Sequence, residues 1–228
     1  MKQGCSADEL IADLRAQANP TNVAGMARFG ISAHNTLGVP IPVLRRMARA
    51  AGKDHGLAST LWESGIHEAR ILATMIAQPD RLTAAQMDRW ARDFDSWDIC
   101  DQACQNLFRY TPLACGKAAQ WSAAKAEFVR RAGFALMAAL AAQRRNAIPD
   151  TQFASFLELI AAAAADERNF VKKAANWALR QIGKRNGHLR ERAIIAAKKI
   201  ARLDSRAAHW IASDALRSLR TRPNSRSR

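Results

Sequence analysis

Phe128-Val129-Arg130-Arg131-Ala132 returns 42 residues further on as Phe170-Val171-Lys172-Lys173-Ala174. Each string opens an alanine-rich stretch with apolar residues at helical spacing, and His67-Glu68-Ala69-Arg70 is a fainter third copy. Alanine costs least in a helix and lets neighbouring helices approach closely, whereas the β-branched and aromatic residues that favour strands are sparse. The chain therefore reads as helix stacked on helix.

Punctuation around these strings agrees. Ser6-Ala7-Asp8-Glu9 and Thr83-Ala84-Ala85-Gln86 are capping boxes, in which a hydroxyl and a carboxylate or amide satisfy the first N–H groups of a helix. Asn19-Pro20 closes the first helix, a short one covers Asn22–Phe29, and Gly38-Val39-Pro40-Ile41-Pro42 turns into a helix through Val43–Ala51. Further helices are expected at His55–Glu63, His67–Gln78, Ala84–Phe94, Trp97–Arg109, Thr111–Trp121, Lys125–Arg145, Gln152–Ala165, Asn169–Lys184, Leu189–Arg202 and Arg206–Arg220. Short connections and a period near 40–47 are those of two-helix HEAT or armadillo units. The expectation is an all-α, right-handed superhelical solenoid of HEAT-like antiparallel helix pairs, with residues 1–220 as one domain and 221–228 as a basic, frayed tail.

Charge is unevenly placed. The net charge is +15, and the stretch from Arg168 to Arg228 holds 17 Lys or Arg against Glu191, Asp204 and Asp214 alone. Basic residues that recur along helices point to a polyanion, and nucleic acid is favoured over a merely solvated face. Lys173, Arg180 and Lys184 fall at i, i+7 and i+11, near one helix face, where they can follow a phosphate backbone. Arg130, Arg131 and Lys172 join them as candidates for DNA phosphate binding.

Other classes find little support. No apolar run reaches the roughly 18 residues of a membrane span, and the first residues lack the apolar stretch of a secretory signal. Cys100 and Cys104, four apart, read as helix core; with no CxxC pair, the expectation is a reduced, cytoplasmic protein, nucleoid-associated when on DNA, without metal or cofactor. His67-Glu68 lacks the second histidine of a zinc helix, and Gly25, Gly30 and Gly38 form no phosphate loop. Trp62, Trp90, Trp121 and Trp210 are expected to pack between helices.

Chemistry concentrates between Trp90 and Asp101, which gathers four carboxylates and two indoles in an otherwise basic chain. If Asp95 or Ser96 caps the helix, Trp97 and Asp101 lie four apart on one face. Asp95 and Asp98 are expected to serve the helix N-terminus, where carboxylates are favoured. Asp101 comes one turn later, too late to cap. On local pattern alone Trp97 reads as core, and Asp101 as the acid to single out.

The strings DFDSWDICDQACQNLF (93–108), GVPIPVLRRMA (38–48), LWESGIHEARILA (61–73) and NFVKKAANWALRQIGK (169–184) together resemble the DNA alkylation repair family of HEAT-like alkylpurine DNA glycosylases, in the same order and over about residues 20–205. The resemblance implies a superhelix whose concave face holds duplex DNA, and hydrolysis of the N-glycosidic bond of cationic N3- or N7-alkylated purines. It places the catalytic aspartate at Asp101, the lesion- and sugar-contacting tryptophans at Trp97 and Trp177, and the phosphate-binding arginine at Arg131, with the adjacent Arg130 as the alternative. The residue types suit the reaction: a carboxylate stabilises an oxocarbenium-like sugar, and indole faces attract a cationic base. A monomeric, monofunctional glycosylase acting on double-stranded DNA is the leading expectation. A non-catalytic HEAT module that binds DNA or recognises damage is the first alternative, and a scaffold for an acidic protein partner the second.

Overall fold

The computed structural model describes residues 5–143 and 147–220, where every regular element is a helix; the stretch 221–228, read as a tail, lies outside the described residues. Contacts divide the chain into two compact units, residues 1–113 and 114–228.

The first unit comprises α1 (Ala7–Ala16), α2 (Pro20–Arg28), α3 (Ile41–Ala51), α4 (His55–Glu63), α5 (His67–Ile76), α6 (Ala84–Arg92) and α7 (Trp97–Asn106), with 3₁₀ turns at Pro79–Arg81 and Phe108–Tyr110. Ser6 and Glu9 make the expected capping box of α1. Asn19-Pro20 does not close that helix. Asn19 caps α2 by accepting from the Asn22 N–H, and Pro20 occupies the first turn, where its missing N–H costs nothing. The Trp97 helix ends at Asn106, where the chain tightens into the 3₁₀ turn, and Thr111-Pro112 precedes the next helix without belonging to it. Helix α4 packs on α5, which packs in turn on α3 and α7. Leu14, Leu44, Leu61, Leu72 and Ile76 are fully buried there, and the indoles of Trp62 and Trp90 stack with centroids 4.1 Å apart.

The second unit comprises α8 (Ala114–Ser122), α9 (Glu127–Ala142), α10 (Asp150–Ala162), α11 (Asn169–Gly183), α12 (Gly187–Ile200) and α13 (Arg206–Arg220). Helix α9 is buried all round from Arg131 to Ala141, between α8 on one side and α11 on the other. Gly133 permits this closeness: a Cβ there would sit 2.4 Å from the Ser122 backbone nitrogen. The repeated strings meet physically, since Phe128 and Phe170 lie with ring centroids 5.5 Å apart at the starts of α9 and α11. Trp121 is buried as expected, but Trp210 is 41 % exposed on the outer face of α13, because the terminal helix has no neighbour beyond it among the described residues.

The 42-residue period belongs to the second unit alone. In the first, side chains that pair between successive layers are 31 apart: His55 with Gln86, Trp62 with Asp93, His67 with Asp98. Accordingly α5, α7, α9 and α11 begin at 67, 97, 127 and 169.

Candidate functional site

The first unit holds a cavity of about 720 Å³ between α2, the 29–41 segment, α5 and α7, and both Trp97 and Asp101 line it. They do so because α7 enters through Ser96 in extended conformation and presents positions 97, 98 and 101 to the same side. Trp97 is half-buried, and its indole N–H donates to the Phe29 carbonyl at 3.0 Å, tying α7 to the end of α2. Asp101 is half-buried beside it.

Two further carboxylates reach this cavity, each held differently. Glu68, 1 % exposed, accepts backbone N–H groups from Leu37 (2.9 Å), Gly38 (2.6 Å) and Val39 (3.2 Å). It thereby fixes the tight turn in which Gly38 adopts φ +78° and lies so close to Asn19 that no side chain would fit. Asp98 lies in the first turn of α7, as expected of a carboxylate at a helix N-terminus. Ser96 caps α7 without a side-chain hydrogen bond, and Asp98 also meets His67 Nε2 at 2.8 Å. Asp95, also expected at the cap, accepts the Ser96 hydroxyl at 3.1 Å.

His67 is 2 % exposed and its Nδ1 has no hydrogen-bond partner. Burial opposes a charge on the ring, but the hydrogen bond and charge of Asp98, with Glu68 and Asp95 beyond, outweigh it and raise the pKa above the ordinary imidazole value. A group whose folded pKa is raised stabilises the fold fully below its unfolded pKa, about 6.5, and loses that contribution as pH rises through the folded value. The urea midpoint of the protein should therefore fall as pH is raised above about 6.5, and His67→Gln should flatten that slope. Parallel slopes for the two proteins would mean that folding does not raise the His67 pKa.

In the second unit the sequence-predicted residues separate into held and exposed cations. Arg131 is 6 % exposed and donates Nη1 to the Phe170 carbonyl at 2.8 Å, bridging the two repeated strings. Arg130 pairs with Asp166 at 3.1 Å, and Arg168 meets the same carboxylate at 2.6 Å. The Arg168 hydrogen bonds hold the Asp166 carboxyl below its usual range. Arg180 pairs with Asp214 at 3.0 Å, where Arg217 and the Asn176 amide also converge; Asn176, foremost, and then the two arginines lower the Asp214 pKa. Lys172 and Trp177 are half-buried on α11, while Lys173 and Lys184 are exposed.

Sequence reasoning passed over His67, Asp98 and the α2 wall of the cavity. The signal that carries the first two is the separation of 31 that recurs in three polar pairs, which a search for a 42-residue echo does not see. Cys100 and Cys104 are buried in α7, as expected for core residues. Among the described residues no group of three or more His, Cys, Asp or Glu could hold a metal ion, and no helix is long and apolar enough to cross a membrane.

No curated protein matches the chain in sequence. A solved structure matches it with a TM-score of 0.78, covering 93 % of this chain and 95 % of that one at 20 % identity. That structure represents a family described as related to the HEAT-like repeat DNA glycosylases, with affinity for branched DNA structures. The likeness establishes a HEAT-like repeat fold. The sequence model of the DNA alkylation repair enzymes matches residues 10–219, nearly the whole chain, and the protein therefore belongs to the DNA alkylation repair enzyme family.

Proposed function

We propose that the protein is a monofunctional DNA glycosylase that hydrolyses the N-glycosidic bond of cationic N3- or N7-alkylated purines in duplex DNA. The observation that carries this reading is the placement of Trp97 and Asp101 together on the wall of one cavity, in a chain of the alkylation repair family. Alkylation leaves the purine positively charged, so the C1′–N bond breaks without a strong acid. The base departs with the bonding electrons, positive charge develops on the deoxyribose, and water adds at C1′ and loses its proton, leaving an abasic sugar. Asp101 stabilises the charge on the sugar and orients the water. Trp97 attracts the cationic lesion through its indole face, a contact contributing about 0.5–2 kcal/mol.

The second unit supplies DNA contacts. Arg131, or its neighbour Arg130, holds a phosphate, and Trp177 offers a second indole to the strand. Lys172, Lys173, Arg180 and Lys184 track the backbone. Arg130 and Arg180 are already matched by Asp166 and Asp214, so the exposed Lys173 and Lys184 carry more of the salt-dependent attraction. We assign the protein to the cytoplasm as a monomer, on the nucleoid when bound to DNA.

Incubation with duplex DNA containing N7-methylguanine should release the free methylated base. A second reading, DNA binding without catalysis, draws on the branched-DNA affinity of the structural relative. Salt-dependent binding to duplex or four-way junction DNA, with no base released from methylated substrates, would select it and remove the glycosylase reading.

A further inference from the structure

A second cavity in the first unit shares no lining residue with the one that holds Trp97. It runs along α4 and α6 with a volume of about 540 Å³, lined by His55 and Ser59 on one side and Thr83, Gln86, Arg89 and Arg92 on the other. Among the described residues of that wall there are two guanidinium groups, no carboxylate, and no Trp, Tyr or Phe. Arg89 lies 3.9 Å from Glu63, but both side chains are more than half exposed, so the pair holds the arginine only loosely.

The other polar groups are fixed before any ligand arrives. Gln86 Oε1 accepts from His55 Nε2 at 3.0 Å, and Gln86 Nε2 donates to the Ser59 hydroxyl at 3.2 Å. Ser59 in turn donates to the His55 carbonyl at 3.0 Å. Thr83 caps α6 by accepting the Gln86 N–H at 3.1 Å. The N–H groups of Ala84 and Ala85, in the first turn, have no partner within the helix and form the positive end of its dipole. His55 is only 9 % exposed, and its Nδ1 is buried without a hydrogen-bond partner. With the Gln86 oxygen facing Nε2, that nitrogen is the donor, and Nδ1 is left to accept from a ligand.

These groups suit a tetrahedral oxyanion that also has a hydroxyl to give. Guanidinium groups bind phosphate oxygens two at a time, and a helix N-terminus binds them through its backbone. A P–OH group would satisfy Nδ1. The monoanion of a phosphate monoester carries one, whereas the diesters of a DNA backbone do not. Two arginines at one cavity fit a single phosphoryl group, not the extended row of cations that a duplex engages. A wall without a Trp, Tyr or Phe ring offers no platform for a stacked base either. We infer that the α4–α6 cavity is a binding site for a small phosphate monoester, separate from the Trp97 cavity and independent of the glycosylase reading.

Ala85 makes this testable without damaging the fold. It is exposed in the first turn of α6 and lines the cavity. A carboxylate is favoured at that point of a helix, so Ala85→Glu sets a like charge beside the phosphoryl group and leaves the helix intact. Binding of inorganic phosphate to the full chain is measured by calorimetry, in chloride of matched ionic strength, with thermal unfolding as a check on each variant. Phosphate should bind the parent and raise its unfolding temperature above that in chloride. Binding should weaken at least tenfold in Ala85→Glu and in the double variant Arg89→Ala, Arg92→Ala, while Ala85→Glu keeps the parent's affinity for duplex DNA. No phosphate binding by the parent, or undiminished binding by the folded variants, would overturn the inference. So would an equal loss of duplex affinity in Ala85→Glu, which would make the cavity part of a surface for the DNA backbone.

Discussion

Asp101→Asn should slow release of N7-methylguanine from duplex DNA by about 10²-fold or more while leaving DNA affinity and unfolding temperature near those of the parent. The substitution keeps the size of the side chain, removes its charge and replaces one acceptor oxygen with an amide donor. If that charge faces a sugar on which positive charge develops, the loss falls on the transition state and hardly on the bound ground state. A hundredfold change corresponds to about 2.7 kcal/mol of lost stabilisation, within the range for removing one fixed electrostatic partner. Single-turnover rates on a methylated duplex measure it directly. Equal rates for the two proteins would take Asp101 out of the mechanism, whatever the fate of the family assignment.

Glu68→Ala should be the most destabilising single substitution in the first unit, lowering stability by about 3–5 kcal/mol. Its carboxylate accepts the backbone N–H groups of Gly38 and Val39, both buried, and takes the Leu37 N–H as well. Removing it leaves these donors without their acceptor, at about 1–3 kcal/mol for each that stays buried. The turn they form is also the wall of the cavity that faces α7. The same variant should therefore weaken any ligand held there. Urea unfolding of the two proteins checks the first effect, and a loss under 1 kcal/mol would show that the turn holds without the carboxylate.

Much of the architecture is legible because helix ends carry their own chemistry. The capping box at Ser6, the asparagine and threonine caps at Asn19 and Thr83, and the alanine-rich runs act over three or four residues, so a local reading captures them. The same locality explains the misreading at Asn19-Pro20. The pair suits both the end of one helix and the start of the next, and only the packing of α2 against the 37–39 turn, through Asn22 and Gly38, decides. Trp210 shows the same limit from the other side: an indole in an amphipathic helix reads as core, yet here it is exposed, with no helix packed over it among the described residues.

The candidate site divides along that line as well. Asp101 and Trp97 are marked by position in one helix, because a carboxylate a full turn inside has no capping task left and shares a face with the residue four before it. His67 and Asp98 carry no such mark. Each has an ordinary role within its own helix, and their partnership depends on α5 and α7 lying side by side in a register of 31 residues.

From the order of its residues alone, this chain declares an all-helical repeat protein, a basic second half and a cluster of carboxylates and indoles around the start of one helix, since propensity, capping and charge act over neighbours in sequence. Tertiary structure alone decides that an acidic cavity exists, that Glu68 serves the backbone and Asp98 serves His67, and that several arginines are already matched by carboxylates. Those facts depend on which side chains are brought within hydrogen-bonding distance across 30 to 45 residues of chain, a separation at which no local rule operates.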